Sequence, residues 1–117
     1  MALTNIQTDR LASGILSSGF TVTPYSAGIK SSGTFTPDPT LGNQQYITAN
    51  GAFTLAPQTS ASQILIEVLN ATSAGAITTS GYTKVTGDSY ATTNANKYLF
   101  FSTKTQNYSH LNIVALQ

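Results

Sequence analysis

The sequence predicts an all-β protein: an antiparallel β-sandwich or jelly-roll-like barrel with an extended N-terminal arm. Three observations predict it. From Gly33 onward, short runs rich in Thr, Ile, Val, Tyr and Phe are separated by Gly, Pro, Asn and Asp, the grammar of strands and turns. Residues 63–70 follow the period of two expected of a strand, and nothing after residue 33 sustains a helical period. Two units follow from this, an arm over residues 1–32 and a β-domain over residues 33–117.

The arm is read from Leu3, Ile6, Leu11, Ile15 and Leu16, which follow neither helical spacing nor strict alternation and are interrupted by Gly14, Gly19 and paired serines. Each large aliphatic side chain gains about 1.5 to 3 kcal/mol on full burial. Five of them in the first sixteen residues therefore call for a partner surface. A short strand is also conceivable over residues 20–23.

In the β-domain the first strand is expected over residues 34–36, and Pro37 and Pro39 stop it because proline cannot donate to a ladder. Residues 45–48 and 53–55 flank Asn50-Gly51, the strongest short hairpin signal, since both residues tolerate positive φ. Residues 63–70 form the strongest strand, with Ile64, Ile66 and Val68 on the core face. The opposite face carries Leu65, Glu67 and Leu69, whereas an exposed face should be polar. The arm, a second sheet or a neighbouring subunit could cover it, and Glu67 suits an interface ion pair with Lys97 or Lys104. Residues 75–79 and 82–85 read as two short strands around Ser80-Gly81, with a turn at Gly87-Asp88. Residues 97–103 and 111–116 form a terminal pair joined near Gln106-Asn107. Tyr46 and Tyr98, lying in alternating strands, are assigned to the core.

Only 8% of the 117 residues are charged, against roughly a quarter in an ordinary soluble domain. Six Tyr and five Phe argue against disorder. A net charge of +1, with Arg10, Lys30, Lys84, Lys97 and Lys104 scattered, gives no basic patch for nucleic acid. So weakly charged a surface lacks the self-repulsion that keeps monomers apart, which favours life in an assembly. The absence of cysteine removes disulfides and thiolate metal sites. No basic-then-apolar leader and no long apolar run is visible, so neither secretion nor membrane insertion is expected.

Chemistry-bearing patterns are sparse. His110 beside Ser109 invites a Ser-His-Asp arrangement with Asp38 or Asp88, but no Gly-x-Ser-x-Gly elbow occurs, and a surface or interface imidazole is the simpler reading. Asp9, Asp38, Glu67 and Asp88 are too scattered for a calcium loop or an obvious carboxylate pair. Asn70 and Asn107 match the glycosylation acceptor pattern, which without a secretion signal is coincidence. No catalytic residue, metal site or cofactor is expected.

Gly33-Thr34-Phe35-Thr36-Pro37, Gln45-Tyr46 and Asn50-Gly51-Ala52-Phe53-Thr54-Leu55-Ala56-Pro57 resemble segments of small virion-associated domains of tailed bacteriophages. The likeness runs on through Ala71-Thr72-Ser73-Ala74-Gly75-Ala76-Ile77-Thr78, Gly87-Asp88-Ser89 and Asn96-Lys97-Tyr98 to Val114-Ala115-Leu116-Gln117. It covers residues 33–117. It implies a capsid decoration or cement protein of the virion surface, trimeric, bound to the major capsid protein and assembled in the host cytoplasm. A tail or fibre module binding a host receptor or glycan is the alternative. On the decoration reading Leu3, Ile6, Leu11, Ile15, Leu16, Leu65, Glu67 and Leu69 form the interface.

Overall fold

The computed structural model of the chain describes residues 21–117. Nine strands occur among them: β1 (Tyr25–Lys30), β2 (Thr34–Phe35), β3 (Gln44–Ala49), β4 (Phe53–Leu55), β5 (Ser62–Asn70), β6 (Ile77–Thr78), β7 (Lys84–Gly87), β8 (Lys97–Lys104) and β9 (Ser109–Ala115). The only helical element described is a 3-10 turn, Pro39–Leu41, capped by the Asp38 side chain. A six-stranded sheet in the order β1-β3-β5-β8-β9-β7 packs over a three-stranded sheet, β2-β4-β6. The all-β, two-layered class read from the sequence therefore holds.

Alternation builds the core. Ile64, Ile66 and Val68 of β5 point inward and are essentially inaccessible, and the paired strands add Ile47, Tyr98, Phe100, Leu111 and Ile113. The smaller sheet contributes Phe35, Phe53 and Leu55 to the same cluster. At the outer edge the Lys30 ammonium sits 4.5 Å from the centre of the Phe35 ring, closing the end of the core with a cation over a π face.

The strand pairing differs from the expected antiparallel pattern. Five of the seven pairings are parallel, and only β5 with β8 and β8 with β9 are antiparallel. The cause is a coiling path. The chain runs β1 then β2, β3 then β4, β5 then β6, changing sheet each time and returning one strand over roughly 20 to 24 residues later, as in a short solenoid.

This path overturns the predicted hairpin at Asn50-Gly51. β3 and β4 lie in different sheets, and Asn50-Gly51 is the corner between them. Gly51 is there for space: a Cβ would run into the backbone of Ser31 in the preceding coil. Asn50 holds the corner from both sides, its N–H donating to Lys30 O at 2.9 Å and its Oδ1 accepting from Ser73 N–H at 3.2 Å. Likewise, the strands around Ser80-Gly81 belong to separate sheets.

Three further expectations are corrected. The β-domain begins at Tyr25, because β1 falls within residues 1–32 yet pairs with β3; a bulge at Gly28 (φ 82°) breaks the alternation that would have revealed it. Residues 21–24 are not a strand. Tyr46 is not core: it is 44% exposed, whereas its neighbour Gln45 is 2% exposed. Ile47 faces inward, so the period of two places Gln45 inside with it. The buried amide is satisfied by the carbonyls of Asp38 at 2.8 Å and Gly42 at 2.9 Å.

Candidate interaction surface

The outward face of the six-stranded sheet is the candidate site, because directly paired residues share a side of a sheet and their rows can be read from the register. One row runs Tyr46, Glu67, Leu99, Val114 across β3, β5, β8 and β9. The next runs Gln44, Leu65, Phe101, Asn112, Thr86 and reaches β7. A third runs Ile29, Thr48, Leu69, Lys97. Side chains that normally seek burial stand in water here: Phe101 is 41% exposed and Leu69 39%. A groove of about 380 Å³ lies at one end of the face, with Val22, Gln63, Leu65, Phe101 and Thr103 in its lining.

The structure thus brings Leu65, Glu67 and Leu69 together on this face. Leu3, Ile6, Leu11, Ile15 and Leu16 lie outside the described residues. Of the three covers considered for this side of β5, the second sheet packs instead against the side bearing Ile64, Ile66 and Val68. Lys97 pairs with Leu69 on the outward face beside Glu67, whereas Lys104 pairs with Ser62 and Ser109 at the opposite end of β8. Tyr46, Leu99, Phe101 and Val114 were missed as surface residues. The phase of β8 and β9 could have revealed three of them once Tyr98 and Ile113 were placed inside.

The catalytic arrangement imagined around His110 is not assembled. Ser109 and His110 are consecutive in β9 and so point to opposite sides: Ser109 is buried, its Oγ accepting from Thr83 N–H at 3.1 Å while its own N–H donates to Thr83 Oγ1 at 3.0 Å. His110 Nε2 lies 2.7 Å from Thr86 Oγ1. That hydroxyl spends its proton on Asn112 Oδ1 at 2.9 Å, so it accepts from Nε2–H and is not activated by the imidazole. Asp88 Oδ2 accepts from Ala115 N–H at 2.8 Å. Asp38 accepts from the hydroxyl and N–H of Thr40, which hold its carboxyl below the ordinary carboxylate value. Among the described residues no three His, Cys, Asp or Glu side chains gather as metal ligands.

Two polar networks bind the loops to the inward face. Tyr82, Ser102 and Gln58 form one. The other centres on Asn70, whose amide donates to Ala91 O at 2.7 Å and Thr93 O at 3.0 Å while its Oδ1 accepts from the Tyr90 hydroxyl at 2.7 Å. Asn70 is 2% exposed, so this acceptor pattern is closed to glycosylation in the folded chain. The Tyr90 ring packs tilted against that of Tyr98, centroids 5.0 Å apart, and covers this end of the sheet. These residues tie the loops to the core and carry no reactive geometry. No protein family, curated protein or solved structure compared with the chain matches it.

Proposed function

We propose that this chain is a virion structural protein, a decoration or cement component that binds the assembled head of a tailed bacteriophage and stabilises it. The observation that carries the reading is the outward sheet face. A central strand apolar on both sides, on a protein with 8% charged residues, suits permanent contact with other subunits. Five aliphatic residues in the first sixteen supply a second adhesive element, and the turn and strand motifs of residues 33–117 resemble phage virion domains. On this reading the protein is trimeric, assembles in the host cytoplasm and grips the major capsid protein through its leading segment. Binding only the assembled shell stabilises that state by mass action. The protein acts without catalysis.

Deletion of residues 2–16 tests it. Attachment to purified shells is expected to be lost while the circular dichroism of the β-domain is kept. Full occupancy of shells by the truncated chain would contradict the clamp.

The exposure of Tyr25, Tyr46 and Tyr108 favours a second reading, a tail or fibre module that recognises a receptor or glycan, because tyrosine gives large contact area with few rotatable bonds.

A further inference from the structure

We infer that the outward face of the six-stranded sheet is covered by further copies of this same chain. The inference rests on the self-association in the reading above, and not on attachment to a shell.

The pairing points first to a covered face. β1, β3 and β5 pair in parallel, the arrangement that in wholly parallel sheets goes with both faces packed. Here the inward face is packed by the β2-β4-β6 sheet and the Tyr82 and Tyr90 loops, whereas the outward face leaves Tyr46, Leu69 and Phe101 substantially exposed. Aromatic and aliphatic side chains surrounded by hydroxyls and amides make up the face, the composition of an interface centre with a polar rim.

Charge then selects the occupant. The three central rows carry one acid, Glu67, and one base, Lys97, on adjacent strands, and a fourth row adds only Lys84, at the β7 edge. Such a face has no cluster of like charge with which to attract nucleic acid or a strongly charged peptide, but it is complementary to itself, since around a ring of copies each offers its Lys97 to the Glu67 of the next. Sheet edges do not compete for this role. The free edge of β1 is bulged at Gly28 and ends in Lys30, and the other edge, β7, is only four residues long and opens with Lys84, devices that discourage edge-to-edge pairing. Association therefore proceeds face to face.

Sedimentation velocity on the full chain tests this, with three variants. The wild-type chain is expected to sediment as a multimer, and Phe101→Lys as a monomer with unchanged far-ultraviolet circular dichroism. Glu67→Lys sets two bases against each other and should weaken association about tenfold, and the double variant Glu67→Lys with Lys97→Glu should recover most of that loss. The charge swap keeps the test decisive even if Phe101→Lys does not fold. A monomeric wild-type chain, a multimer indifferent to Glu67→Lys, or a double variant no tighter than the single one would overturn the inference. Shell binding, measured separately, keeps the two ideas apart: a multimer that ignores shells contradicts the decoration reading alone, and a monomer that binds them contradicts this inference and the trimer while leaving shell attachment standing.

Discussion

The hydroxyl of Tyr82 lies 2.7 Å from that of Ser102, and Ser102 in turn donates to Gln58 Oε1 at 2.6 Å, so three side chains from two loops and β8 close one buried relay. Gln58 completes it by donating to Ser62 O at 3.1 Å and Ser102 O at 3.0 Å. Among the described residues no buried side-chain polar atom is left without a partner. Unequal costs follow along the relay. Tyr82→Phe removes one hydrogen bond and should cost about 1 kcal/mol, whereas Gln58→Leu strands a hydroxyl and two carbonyls and should cost about 2 to 3 kcal/mol. Urea unfolding of both variants checks the order, and a Tyr82→Phe loss exceeding that of Gln58→Leu would contradict it.

Alkaline stability should report the same region. Burial raises the Tyr82 hydroxyl above its ordinary value of 10.0, and burial together with the neighbouring Tyr98 raises Tyr90. Between the unfolded and folded values the native state holds more protons, so stability is whole below about pH 10 and falls as pH rises through the folded values. Unfolding free energy measured against pH should decline in that window, with a shallower decline in Tyr82→Phe.

At the corner of the coils, Gly51→Ala would drive a methyl into the Ser31 backbone and should destabilise by about 1 to 3 kcal/mol. Thermal unfolding of Gly51→Ala checks this, and an unchanged midpoint would argue against the close approach of the two coils.

Ser109 and His110 should respond oppositely to truncation. His110→Ala acts on the outward face and should change stability by no more than about 0.5 kcal/mol. Ser109→Ala leaves the Thr83 N–H without its acceptor and should cost about 1 kcal/mol or more. Equal costs would contradict their placement on opposite sides of β9.

Much of this architecture was legible because alternation reports burial directly: residues 63–70 gave the central strand, its core face and the anomaly opposite. Topology was not, because a period of two is the same for parallel and antiparallel partners. Asn50-Gly51 shows the limit clearly. The dipeptide marks a turn, but whether the chain comes back beside itself or crosses to another layer depends on Ser31 and Ser73, which are remote in sequence. The outward rows were half legible: Leu65, Glu67 and Leu69 stood out within one strand and Phe101 followed from the phase that Tyr98 sets in β8, while Tyr46 joined them only through the register.

Coating of an assembled head is tested most directly by counting the chain in purified particles produced with its gene intact. Quantitative mass spectrometry against the major capsid protein should find the two in comparable copy number, with the chain on the outer surface. A handful of copies per particle would place it in a tail, and none at all would contradict the account.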